Sequence, residues 1–157
     1  IGNAWRYDPM FLLNNFGTDI HNAHTQPDGA YHYHGNPNAL FEQTNPNEES
    51  PVIGFAADGY PIYGSYISDN QIIRKVESSF LLKSGTRVPL GAEEDGDFPG
   101  GNYDGTFRED YEYVEGLGDL DECNGMTYNG TYGYYVTESF PWVMNCFKGE
   151  VDSSFDK

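Results

Sequence analysis

The apolar residues fall in short runs closed by glycine, proline or asparagine, a pattern of strands and turns. Residues 30–34 alternate, with Tyr31 and Tyr33 on one face of a predicted strand and His32 and His34 on the other. The run 51–67 reads as a buried strand, a turn at Asp58-Gly59 and a second strand. "SDN" followed by "QIIRKV" predicts a hairpin, and "SFLLKSGTRV" a further short strand. "YEYV" and "TYGYYVT" are strand-like. Residues 1–20 have no clear period, although Met10–Leu13 reads as a short helical turn or a strand. Loop signals flank a helical turn expected at Ala39–Glu42. "FPWVMNCF" closes the ordered part, and no interior linker interrupts it. The expected fold is mainly β with long irregular loops and few short helical turns, in a single compact domain.

Composition supports this reading. Aromatics make up 16% of the 157 residues, with 13 Tyr and 10 Phe, alongside 19 Gly and 9 Pro. Aromatic residues favour strands. Their number also argues against disorder, which acidic chains reach when poor in aromatics. Eight basic against 25 acidic side chains give a formal net charge of -17. Such a surface repels nucleic-acid phosphates and anionic lipid, and it favours cations as partners. No apolar run reaches transmembrane length.

All four histidines lie within residues 21–34: His21, His24, His32 and His34. Residues two apart on a strand share a face, roughly 6–7 Å apart at their Cα atoms. His32 and His34 can therefore approach one ion, and a Pro27-Asp28-Gly29 turn can fold His24 back as a third ligand. His21 is a fourth ligand or a spare. Imidazole suits zinc or copper rather than calcium. Tyr31 and Tyr33 are expected to bury their rings on the opposite face. A carboxylate, Asp58 or Asp121, is expected to complete the shell or to orient a ligand ring from behind. The competing reading is a set of polar strand residues that hydrogen-bond one another and hold no ion.

Other chemistry is thinner. "DGDFPG" (95–100) begins like an EF-hand loop, but Pro99 takes the fifth position and Thr106 the twelfth. A looser calcium site on Asp95, Asp97, Asn102 or Asp104 is conceivable in this acidic loop, as is plain solvation. Cys123 and Cys146 can pair, stay free or bind metal, and pairing is the simplest outcome in a chain that looks secreted. Asn129-Gly130-Thr131 is a glycosylation sequon. Aromatics flank Pro61 and Pro141, and at least one of these prolines is expected to be cis. "GAYHYHG" and "GTYGYYV" share Gly-x-Tyr-x-Tyr, a weak internal repeat. The chain starts at Ile1, which fits a leader already removed.

Four ordered blocks, "HTQPDGAYHYHG", "IGFAADGYPIYG", "YDGTFREDYEYVEGLGDLDECNG" and "GTYGYYVTESFPWVMNCFKG", together resemble the YHYH-domain family. The family is named for the string that here is Tyr31-His32-Tyr33-His34. The resemblance runs from about residue 20 to residue 149, and its motif positions match His24, His32, His34, Asp58, Asp104, Asp121 and Cys123. It implies an extracellular or cell-envelope protein and no particular reaction. Many relatives carry a further histidine where this chain has Gly133, a departure that leaves a metal site one ligand short if that histidine binds. The expected organisation is one YHYH-like domain over 1–149 and an acidic tail over 150–157.

The function these features favour is a secreted acidic domain with a His-centred transition-metal site in a binding or structural role. Two other readings are open. One is a structural or adhesive subunit of an extracellular fibre or coat, in which the tyrosine-rich surface serves self-association or glycan contact. The other is a metal-dependent enzyme of unknown substrate, with Asp58 or Glu122 as general base.

Overall fold

The computed structural model describes residues 4–12, 14, 16–91 and 98–155. Its ten strands are β1 (Ala23–Thr25), β2 (Tyr31–Tyr33), β3 (Val52–Phe55), β4 (Pro61–Tyr63), β5 (Tyr66–Asp69), β6 (Ile72–Lys75), β7 (Phe80–Leu82), β8 (Tyr111–Tyr113), β9 (Gly125–Tyr128) and β10 (Thr131–Tyr135). The helical content among these residues is two 3-10 turns, Arg108–Asp110 and Ser153–Phe155. The protein is therefore mainly β, as its pattern predicts. A four-stranded sheet runs in the order β3-β4-β10-β9, with β4 and β10 parallel. Three two-stranded ribbons, β1-β2, β5-β6 and β7-β8, surround it.

Local chemistry sets the turns. Asn129 and Gly130 both take left-handed backbone angles (φ 50° and 82°), as a two-residue hairpin turn requires. Asn70 and Gln71 do the same between β5 and β6 (φ 50° and 69°). The turn between β3 and β4 closes where the Gly59 amide donates to Ala56 O at 2.9 Å.

The core gathers on β10 and the residue that follows it. Tyr134, Tyr135 and Val136 are 0%, 3% and 0% exposed, and each anchors a different apolar cluster. Tyr134 packs with Ala56 and the Cys123–Cys146 disulfide. Tyr135 packs with Ile67, Val76 and Leu120, and Val136 with Phe41 and Tyr66. Asn124, fully buried, donates from Nδ2 to Tyr135 O at 2.8 Å and Val143 O at 3.1 Å. It thereby ties β10 to the segment that follows it. The Phe140-Pro141 bond in that segment is cis.

Three expectations are corrected. β3 is not buried, since Val52 and Phe55 are 44% and 72% exposed. It forms an edge of its sheet, whereas β10 lies inside. Ala39–Glu42 forms no helix. Leu40 closes a turn onto Pro37 O, and Phe41 turns inward to Tyr66 and Val136. So short a stretch cannot offset helix nucleation. Met10–Leu12 likewise lie in turns closed onto Asp8 and Phe11, and Leu13 lies outside the described residues. Beyond residue 149, the Asp152 amide donates to Ala57 O at 3.0 Å.

A buried ion pair holds the long loops. Arg87 grips Asp110 through Nε and Nη2, both at 2.7 Å, with side-chain exposures of 6% and 0%. Asp110 also accepts the Gly105 and Phe107 amides. Breaking a buried pair strands a charge without a partner. Asp110→Ala should therefore lower unfolding stability by about 3–5 kcal/mol in urea titrations. A loss below about 1 kcal/mol would show that water replaces the carboxylate and that the pair is peripheral.

Candidate metal centre

The β1-β2 hairpin brings the histidines together. Its register pairs His24 with His32, flanked by Ala23 with Tyr33 and Thr25 with Tyr31. The connecting turn is the expected one. Gly29 (φ 90°) sits where its amide donates to Gln26 O at 2.9 Å, and the Asp28 carboxylate accepts the Ala30 amide at 3.0 Å. Beyond β2, the His34 amide donates to Asn22 O at 2.8 Å, which extends the pairing by one step.

The three Nε2 atoms form a near-equilateral triangle. His24 to His32 is 3.2 Å, His32 to His34 is 3.0 Å, and His34 to His24 is 3.0 Å. Three nitrogens ~2.0–2.1 Å from one zinc ion stand about 2.9 Å apart at right angles and about 3.3 Å apart at the tetrahedral angle. The observed triangle lies between these limits. Among the described residues, these three side chains form the group of His, Cys, Asp or Glu ligands able to hold one metal ion.

Main-chain carbonyls orient two of the rings. His24 Nδ1 faces Phe16 O at 2.9 Å, and His32 Nδ1 faces Ala30 O at 3.4 Å. A neutral imidazole that donates from Nδ1 keeps its lone pair on Nε2. Both lone pairs then point into the triangle, where a cation or a proton on His34 Nε2 can lie between them, and the Gln26 amide nitrogen stands 3.3 Å from His32 Nε2. Burial pushes the His34 pKa below the ordinary histidine value, and the neighbouring His32 and His24 add to the effect. His34 is thus held in the neutral form a metal needs.

The hairpin base is fixed from outside. Asp19 accepts the Tyr31 hydroxyl at 2.7 Å and the His21 amide at 2.8 Å. The hydrogen bond to Asp19 pushes the Tyr31 pKa up to about 12. Tyr31 and Tyr33 do not bury their rings as expected. They are 49% and 38% exposed and pack edge to face at 5.6 Å. A two-stranded ribbon has no second layer to cover that face. His21 lies outside the triad, and its Nδ1 is buried without a hydrogen-bond partner.

A family model described as YHYH protein matches residues 1–149, the tripod included. The chain belongs to the YHYH protein family. No curated protein and no solved structure matches it. Within this YHYH protein, Gly133 stands far from a histidine's requirements. A Cβ there would come within 2.5 Å of Tyr63 Cε2, so the stacked Tyr63–Tyr135 pair occupies that space. Gly133 also belongs to β10 rather than to the histidine hairpin.

The carboxylates named from sequence are engaged elsewhere. Asp58 Oδ2 accepts the Tyr134 hydroxyl and the Gly149 amide. Asp121 accepts the Cys123 and Gly125 amides at 3.0 Å and the Tyr132 hydroxyl at 2.9 Å, and it pairs with Lys148. Neither joins the ligand group, and backbone carbonyls take the orienting role instead. Glu122 is exposed and pairs with Lys148. Asp104 pairs with Arg87 at 2.5 Å, and Asn102 Oδ1 accepts the Thr86 hydroxyl at 3.2 Å. Asp95 and Asp97 lie outside the described residues. Asn129 is exposed at its hairpin tip. Sequence reading missed the two carbonyls because main-chain atoms leave no residue-type signal.

The tautomers are directly measurable. Long-range 15N–1H correlation spectra of metal-free protein at neutral pH should show His24 and His32 protonated at Nδ1. Protonation at Nε2 on both rings would contradict the carbonyl orientation.

Proposed function

We propose that this YHYH protein is a secreted metal-binding domain that holds one zinc or copper ion on His24, His32 and His34. The observation that carries the reading is the triangle of three Nε2 atoms 3.0–3.2 Å apart. Three imidazoles are a common protein share of a zinc site that keeps a further position open. Extracellular placement is supported by the disulfide and by the strongly acidic composition. A glycan on Asn129 would project from an exposed turn without disturbing β9 or β10.

The role is binding rather than scaffolding. The hairpin already has its turn, its register and the Asp19 contacts, so the ion is not needed to close it. Histidine must be neutral to bind, so affinity falls as pH drops through about 6.5. Dialysed protein should take up about one equivalent of zinc or copper at neutral pH and release it by about pH 5. His32→Ala with His34→Ala should abolish uptake, while His21→Ala should leave it within about threefold, since His21 lies outside the triad. Uptake unchanged in the double variant, or no uptake by the parent, defeats the proposal.

A further inference from the structure

A cavity of about 480 Å³ opens beside the triad. His32, Tyr33 and His34 border it from the hairpin, Asp8 and Arg108 from neighbouring segments, and Trp142 from the loop after β10. Its volume lies within the ~300–1,000 Å³ of small-molecule sites.

Arg108 is unusual in this chain. The sequence carries 25 acidic residues against 8 basic ones. Among the described residues, Arg6, Arg74 and Arg87 each hold a carboxylate within 4.0 Å, and Arg108 holds none. Its Nη2 donates to Asn145 Oδ1 at 3.0 Å, and its guanidinium lies 5.8 Å from the Phe140 ring centroid. Its Nε is buried without a hydrogen-bond partner. A buried charged donor left unmatched is costly, and in so acidic a protein a matching carboxylate would be easy to supply.

Another part of the lining is equally specific. Asp8 is 1% exposed and accepts Trp142 Nε1 at 3.1 and 3.3 Å and the Met10 amide at 2.9 Å. Trp142 takes a left-handed backbone conformation, φ 71°. A bulky residue persists there where the surrounding structure holds it, and such positions cluster at ligand sites. The indole is thus fixed at its edge by Asp8, and it borders the same cavity as the Arg108 guanidinium, which has no carboxylate partner among the described residues.

We propose that this cavity binds a small aromatic carboxylate, its anionic group on Arg108 and its ring against Trp142. Guanidinium matches a carboxylate with paired donors. A monoanion fits better than a dianionic phosphate, because the cavity offers one guanidinium and the Asp8 carboxyl lies in the same lining. The cavity adjoins the metal reading, since His32 and His34 border it, but the carboxylate contact falls on Arg108 and Trp142, which lie outside the histidine triad.

The test is a titration of 15N-labelled full chain, metal-free and zinc-loaded, with benzoate, neutral benzamide and inorganic phosphate. The Trp142 indole N–H reports binding, and the Trp5 indole serves as the internal control. Benzoate should shift Trp142 and bind at least about tenfold more tightly than benzamide, the scale of a lost charged hydrogen bond. Arg108→Gln, checked for an unchanged amide spectrum elsewhere, should remove that preference. Equal binding of benzoate and benzamide, no shift at Trp142, or tighter binding of phosphate overturns the assignment. Zinc uptake without benzoate binding sinks this site alone. Benzoate binding by metal-free protein that takes up no zinc sinks the metal reading alone.

Discussion

The register of one short hairpin governs the site. Pairing His24 with His32 puts two imidazoles on one face, and the step from His32 to His34 adds the third. Side chains alternate along a strand, so a slip of one residue would turn the histidines of one strand away from those of the other. The turn is therefore as important as the ligands. Gly29 supplies the left-handed angle, and Asp28 caps the Ala30 amide. Asp19 ties the hairpin to the segment before it, accepting the Tyr31 hydroxyl and donating its amide to Ala23 O at the open end.

The hairpin cannot stand alone, because an isolated two-stranded ribbon is marginal in water. The rest of the protein builds the wall it faces. β10 threads three apolar clusters, and Asn124 links it to the 140–144 segment beside the histidines. Trp142 in that segment is pinned by Asp8 from the N-terminal part of the chain. The Arg87–Asp110 pair organises the loop that leads to Arg108. Distant stretches of sequence thus converge on one cavity, each held by a buried polar contact rather than by a large apolar core.

The sequence made the histidine triad and the turns legible for a physical reason. Strand alternation places His32 and His34 together, and Pro27-Asp28-Gly29 and Asn129-Gly130 carry strong turn preferences. Long-range contacts left no such trace. Nothing local distinguishes Arg108 from Arg87, although one faces a cavity and the other a buried carboxylate. Asp58 and Asp121 looked like ligands by residue type, but their nearest donors are tyrosine hydroxyls and backbone amides. Tyr31 and Tyr33 looked like core residues by alternation, and they remain half exposed because no second layer covers the ribbon.

The acidic surface suits a cation site without forming one. Carboxylates near the hairpin raise the local cation concentration, and imidazole nitrogens are softer ligands than carboxylates, of the kind that suits transition metals. The proposed site requires three imidazole nitrogens to meet one ion. X-ray absorption at the zinc edge of the loaded protein measures that directly. It should show three imidazole scatterers at ~2.0–2.1 Å, with any remaining position filled by a light atom. A shell with one imidazole or none, or one dominated by carboxylate oxygen, would contradict it.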